Sequence, residues 1–341
     1  MNVLYDAFLK CKKNVSWKCS VQRYEANVFQ NLNKLRKSLV NGTYKVSPYV
    51  EFIINERGKL RHIKSPTLTD RILQRAICDY ILEPILYKYL IYDNGASIKG
   101  KGVEFTRMRL DKHLRSYYQK YGNKGYILVC DFSKFFDSIP HDKLIESLEK
   151  HITDQKVMSL IKQFIYSFSD DGKGLGIGSQ ISQICGVYYP TPIDNYCKIL
   201  KQCKYYGRHM DDFYIIHNDK DFLKKLLVEV ENIATELGLN LNKKKTQICR
   251  IDKGFVFLKQ NIFVTESGKI VHKPYKPNVV RERRKLKSFK TKLDNEDMSL
   301  NDIVNCYKSW RGTIGKYNSY HIIKNMDKLF YKLYDMEVSE L

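Results

Sequence analysis

Three absences narrow this sequence early. No apolar run approaches the roughly 18 residues needed to cross a bilayer. The opening MNVLYDAFLKCKK places its cations after the apolar stretch, the reverse of an export leader, so a cytoplasmic chain with no membrane partner is expected. The nine cysteines, Cys11, Cys19, Cys78, Cys130, Cys185, Cys197, Cys203, Cys249 and Cys306, are odd in number and form no C-x-x-C pair. That argues against a disulfide framework and a zinc site, and for reduced thiols. Acidic residues are few, 37 against 59 Lys and Arg, leaving a net charge of +22. A surplus of that size answers to a polyanion, nucleic acid ahead of an anionic membrane.

What is present is enough apolar material to fold. Hydrophobic residues make up 43% of the chain, with 16 Phe and 25 Tyr, which excludes a disordered basic tail. At 341 residues, two or three substructures sharing a core are expected. Val21, Tyr24, Val28, Leu32, Leu35 and Leu39 recur at steps of three and four, predicting one amphipathic helix that ends at Asn41-Gly42. Residues 46–55 read as a strand, 56–58 as a turn and 59–63 as the returning strand, with Lys59 and Arg61 on one face. A helix over 70–90 interleaves Arg71, Gln74 and Arg75 with aliphatic residues. The glycine and lysine cluster at 95–102 lacks the G-x-x-x-x-G-K-S/T order and reads as a loop near nucleic acid, followed by a basic helix ending near Tyr121. Between Asp219 and Gly238 a capped helix carries Phe222, Leu226, Val230, Ile233 and Leu237. Cations crowd 273–292, including Arg281, Arg283, Arg284 and Lys285, which predicts a separate basic helical subdomain.

Two apolar runs hold carboxylates. Residues 125–131 form a strand pattern covered on both faces and closing in Asp131, while 205–216 form a second strand with Asp211-Asp212 at its middle. An unpaired carboxylate is costly in such surroundings, so something positive is required there. Three carboxylates converging at strand ends suit two divalent ions about four ångströms apart, a device for phosphoryl transfer, with Mg²⁺ the expected ion. Taken alone, an Asp-Asp pair is more often a hairpin turn; Asp131 tips the reading toward chemistry.

Several blocks then appear in an order that resembles the bacterial reverse transcriptases related to group II intron maturases. Lys59-Leu-Arg61-His-Ile-Lys-Ser-Pro66, Asp70-Arg71-Ile-Leu-Gln74 and Leu82-Glu83-Pro84-Ile85 are similar to the family's fingers block. Asp131-Phe132-Ser-Lys-Phe-Phe136 resembles motif A, Gly176-Ile177-Gly178-Ser-Gln-Ile-Ser182-Gln183 motif B, Arg208-His-Met-Asp211-Asp212 motif C, and Leu239 to Thr246 motif D. The stretch 254–258 resembles the primer-contacting hairpin. The resemblance runs over roughly residues 20–335 and implies an α+β right-hand polymerase: fingers over 1–124, a palm of antiparallel strands over 125–264 and a basic helical thumb over 265–341.

The roles it implies are specific. Asp131, Asp211 and Asp212, together with Phe132, would hold two Mg²⁺ ions. Lys59, Arg61, Phe132, Ile177, Gly178 and Gln183 would meet the incoming dNTP, with Phe136 as a bulky gate against a ribose 2′-hydroxyl. Without the resemblance Phe136 reads as a core residue, and Lys59 and Arg61 as a solvated strand face. Lys245 would protonate departing pyrophosphate. Arg71, Arg75, Arg281, Arg283, Arg284 and Lys285 would meet template RNA and cDNA; Trp310 and Tyr317 either stack on the duplex or pack in the thumb. His209 replaces the family's usual aromatic in motif C. Ile177 and Gln183 replace the Gln and Pro of motif B, which resembles the error-prone enzymes of diversity-generating retroelements. A structured non-coding RNA or a small basic accessory protein would then be partners. An antiphage defence reverse transcriptase is the alternative, and a non-catalytic RNA-binding scaffold a third.

Overall fold

The computed structural model of the chain describes residues 1–56 and 58–335. They fall into two compact units that interleave along the sequence: Met1–Thr106, Cys130–Phe213 and Lys225–Thr246 in one, and Arg107–Val129, Tyr214–Lys224 and the chain from Gln247 onward in the other.

The first unit opens with three helices, α1 (Asn2–Lys12), α2 (Cys19–Ala26) and α3 (Val28–Val40). The single helix expected through Val21 and Leu39 is two, because Asn27 leaves helical geometry at φ −126°, ψ 35°. The apolar face survives the break, with Val21, Leu32 and Leu35 buried. Strands β1 (Val50–Glu56) and β2 (Lys59–Ser65) pair as an antiparallel hairpin, Phe52 facing Ile63 and Ile54 facing Arg61. Its first strand starts at Val50 rather than at 46. Thr67 caps α4 (Leu68–Ile77) by accepting from the Asp70 amide, and Ile72, Leu73, Ala76 and Ile77 turn inward. Pro84 has no N–H for the preceding turn, and the helix widens into a π-turn at Cys78–Leu82 before α5 (Glu83–Leu86). α6 (Val103–Tyr121) leads into the second unit.

A four-stranded sheet in the order β4-β5-β3-β6 is built from β3 (Tyr126–Cys130), β4 (Tyr206–His209), β5 (Asp212–His217) and β6 (Gln247–Arg250). The strand expected over 205–216 is a hairpin instead: Met210, at φ 59°, turns the chain, so Asp211 sits in the turn and Asp212 begins β5. The helices α7 (Phe135–Ser138), α8 (His141–Glu149), α9 (Gln155–Tyr166), α10 (Gln180–Tyr188) and α11 (Thr191–Asn195) fill the interval between β3 and β4. α12 (Lys220–Glu236) buries Leu223, Leu226, Val230 and Ala234, so its inner face is rotated from the one expected, and Phe222 stacks on His217 at 4.2 Å.

In the second unit, β7 (Phe255–Phe257), β8 (Gln260–Val264) and β9 (Ile270–Pro274) form a meander. Val264 pairs with Ile270, so the boundary expected at 264 falls inside a hairpin and the helical segment starts later. That segment is α13 (Lys276–Asp294), α14 (Leu300–Ile314) and α15 (Tyr320–Tyr334), closed around Leu286, Ile303, Tyr307, Met326 and Phe330. Trp310 belongs to this core, stacked on Tyr307 at 5.7 Å, and Tyr317 lies beneath the Arg107 guanidinium at 5.6 Å. Trp310 thus packs within the helical segment, whereas the contact of Tyr317 is with Arg107 of α6. No described helix is long and apolar enough to cross a membrane. All nine cysteines are free and five are buried; burial pushes the Cys185 thiol up to about 12.

Candidate active site

β3 is an aliphatic run whose burial continues to its end, where it delivers Asp131 at 3% exposure. The next residue, Phe132, bridges to Leu241, and the bonds flanking that bridge run from the Asn242 amide to the Asp131 carbonyl (2.7 Å) and from the Ser133 amide to the Asn240 carbonyl (2.8 Å). The bridge brings residues 239–246 alongside, and two of their side chains close on the Asp131 carboxylate. Asn242 Nδ2 donates to Oδ1 at 3.2 Å and Lys245 Nζ to Oδ2 at 2.6 Å. The Phe132 carbonyl is not consumed by the bridge's own hydrogen bonds.

Asp211 and Asp212 arrive from the β4–β5 turn. The Asp212 carboxyl is raised from 3.8 to about 8, first by burial and then by the negative charge of Asp211 and Asp131, with Lys245 opposing. Burial works against the Lys245 ammonium, yet its hydrogen bond to Asp131 and the attraction of the three carboxylates outweigh that and raise its pKa. The three carboxylates thus stand close enough to repel one another. As the side chains lie, with Lys245 on Asp131, no group of three His, Cys, Asp or Glu among the described residues is arranged to hold a metal ion. The electrostatics nonetheless suit one: a carboxylate raised by desolvation and by its charged neighbours would be relieved by a divalent cation, and carboxylate oxygens are the donors Mg²⁺ prefers.

On α7, Phe136 is half-buried in a T-shaped contact with Phe135 at 5.5 Å. Gly186 makes room for it: a Cβ there would lie 3.2 Å from Phe136 Cζ and 3.5 Å from Met210 Sδ. In the motif B loop, Ile177 is half-buried and lines a cavity of about 250 Å³ with His62, Lys64, Asp137, Phe168 and Gly176. Gly178, at φ 107°, approaches β2, where a Cβ would come 3.7 Å from Ile63 Cγ2 and from the Lys64 carbonyl. Gln183 accepts from Ser97 Oγ at 3.3 Å.

Other expected residues are engaged elsewhere. Arg61 is ion-paired with Glu56 at the tip of its own hairpin, and the side chain of Lys59 lies outside the described residues. Arg75 pairs with Asp79 at 2.9 Å, an aspartate shared with Lys10, whereas Arg71 is exposed. On α13, Arg281, Arg283 and Arg284 are exposed, while Lys285 lies 3.8 Å from Glu282 and over the Phe289 ring. The loop at 95–102 braces β4 rather than cradling phosphate: the Gly95 amide donates to the Arg208 carbonyl at 3.0 Å. Asn242, Asp194 and Gly186 carry no recognisable signal in the sequence alone. Asn242 is one polar residue beside a block of lysines, and Gly186 matters only through the ring set against it.

The chain belongs to the reverse transcriptase (RNA-dependent DNA polymerase) family, whose sequence model matches residues 52–276. Relatives include the protein YkfC of Escherichia coli K12, 25% identical over 69% of this chain and 71% of that protein. The group II intron-encoded protein LtrA of Lactococcus lactis is 25% identical over 50% of this chain and 29% of its own length. A COX1/OXI3 intron 1 protein of Saccharomyces cerevisiae is 24% identical over 74% and 37%. The chain therefore spans about a third of the length of these two intron proteins. The fold is that of the right-hand polymerases, mixing helices with antiparallel sheet; it aligns with telomerase from Candida albicans at a TM-score of 0.52 and 13% identity, over 91% of this chain and 62% of that one.

Proposed function

We propose that this chain makes cDNA on an RNA template, with Asp131, Asp211 and Asp212, and the Phe132 carbonyl, holding two Mg²⁺ ions. The observation that carries the reading is the carboxylate trio, Asp131 buried with Asp211 and Asp212 half-buried, in which burial and then the charge of the other two raise the Asp212 carboxyl to about 8. The ions would activate a primer 3′-hydroxyl and neutralise the departing pyrophosphate. The protein's own part is to set the carboxylates, place Phe136 where a 2′-hydroxyl would clash, and bring Lys245 within a proton's reach of the leaving group. The three consecutive segments 1–124, 125–264 and 265–341 serve in this reading as fingers, palm and thumb. Arg71, Arg75 and the α13 cations meet the duplex backbone; Lys59 and Arg61 meet the triphosphate, which requires Arg61 to leave Glu56. The test is Mg²⁺-dependent dNTP incorporation on a primed RNA, present in the wild type and absent in Asp211→Asn. Retention by the variant refutes it.

Ile177 and Gln183 favour one biological setting, a diversity-generating retroelement with its template RNA and accessory partner. An aliphatic side chain at 177 gives the nascent pair no polar brace, so correct and incorrect pairs differ less in the transition state. Frequent errors opposite template adenines support this setting; an accurate wild type turns the assignment to antiphage defence.

A further inference from the structure

Arg208 is a charged side chain without access to solvent, and so is its partner, each 0% exposed. Nε of Arg208 donates to Asp194 Oδ1 at 2.8 Å and Oδ2 at 3.1 Å, and Nη2 donates to Oδ2 at 2.6 Å. The Tyr206 hydroxyl adds a bond to Oδ1 at 2.5 Å. Stability alone does not account for such a pair, since apolar residues of similar volume often serve a core as well or better.

The remaining donors show what it does. Nη1 donates to the Met210 carbonyl at 2.9 Å, and Nη2 to the Val187 carbonyl at 2.8 Å. Met210 is the left-handed residue of the β4–β5 turn, φ 59°, a conformation a side chain adopts only when its surroundings insist on it. Asp211 follows directly. Val187 lies in α10 next to Gly186, the position against which Phe136 and Met210 pack. The main chain of Arg208 is fixed as well, its amide donating to the Asp93 carbonyl at 3.1 Å. Lysine could not substitute: a point charge lacks the planar fork that reaches a carboxylate and two carbonyls together.

We infer that the buried Arg208–Asp194 pair is a positioning device, which holds the left-handed turn at Met210 and so fixes where Asp211 meets its cation. The pair touches no substrate and acts through the Met210 carbonyl. The inference rests on the polymerase reading above and adds residues to it.

Three variants of the full chain test it: Arg208→Lys, the double change Arg208→Met with Asp194→Leu, and Tyr206→Phe. Each is measured for melting temperature, for Mn²⁺ binding by electron paramagnetic resonance, and for dNTP incorporation with kcat and KM separated. The double variant should melt within a few degrees of wild type, yet bind Mn²⁺ about tenfold more weakly and lose roughly a hundredfold in kcat with little change in KM. Arg208→Lys should follow it, and Tyr206→Phe should shift the same two quantities by less. Wild-type Mn²⁺ affinity and kcat in a folded double variant would overturn the inference. If the Arg208 variants do not fold, Tyr206→Phe decides: unchanged Mn²⁺ binding and kcat overturn it, and a joint fall sustains it. A wild type that binds Mn²⁺ but incorporates nothing refutes the polymerase reading instead, and the variants' Mn²⁺ affinities still judge the pair.

Discussion

Charge of one sign is concentrated twice in this chain, in the carboxylates around Asp131 and in the cations along α13, and the two places handle it in opposite ways. Asp131 is buried and Asp211 and Asp212 are half-buried, and burial first, then mutual repulsion, lift the Asp212 carboxyl to about 8. On α13 the positions Val279, Glu282 and Leu286 face the helical core, while Arg281, Arg283, Arg284 and Lys287 stay in solvent, where like charges repel weakly. Buried repulsion calls for a compact cation held at fixed points. Exposed repulsion calls for a long polyanion and tolerates slippage. In the proposed reading the first arrangement would supply geometry and the second affinity.

The comparison can be broken most decisively at its buried half. Asp211→Asn removes one charge at nearly constant volume, and incorporation should drop on the order of a thousandfold while circular dichroism is unchanged. At the exposed half, reversing Arg283 and Arg284 to Glu should weaken RNA binding and reduce the slope of log affinity against log salt by about 2, one for each phosphate that is no longer neutralised. A slope equal to the wild type's would take α13 out of the interface. Phe136→Ala should then lower selectivity for dNTP over rNTP by about tenfold or more, read in single-nucleotide incorporation. Unaltered selectivity would place the gate elsewhere.

The smallest effect concerns pH. Between about 4 and about 8 the folded chain, free of divalent ions, keeps a proton on Asp212 that the unfolded chain has released. Its contribution to stability therefore falls as pH rises through that window. Melting curves in chelator should show a loss of a few degrees from this group, which Asp212→Asn abolishes. A wild type and variant with parallel pH profiles would mean the carboxylate is not under strain.

Much of this was legible in the sequence because burial and periodicity write themselves into composition. The aliphatic run before Asp131 read as a strand covered on both faces, and the crowd of cations over 273–292 read as a basic helical segment, which α13 is. The hairpin at Met210 was not legible, since a left-handed methionine has no local signature; the structure bears out the turn reading of Asp211-Asp212, and a turn is compatible with the proposed chemistry. Asn27 likewise interrupts a helix whose apolar spacing continues undisturbed across the break. Asp194 stayed hidden because a buried carboxylate announces itself only through its partner, and Arg208 lies 14 residues further on. For Arg61 and Arg75 the ion pairs were not legible: a cation in a recognisable block says nothing of the nearby Glu56 or Asp79 that pairs with it.

The thiols carry a practical consequence. Cys78, Cys130, Cys185, Cys197 and Cys203 are sealed in the interior, Cys11, Cys249 and Cys306 are half-covered, and Cys19 on α2 stands in the open. A thiol reagent added to the folded chain should react first at Cys19, more slowly at the three half-covered thiols, and at the buried five only as fast as the structure opens. The buried five thus serve as a clock for unfolding, and Cys19 is the most open of the nine as an attachment point for a dye.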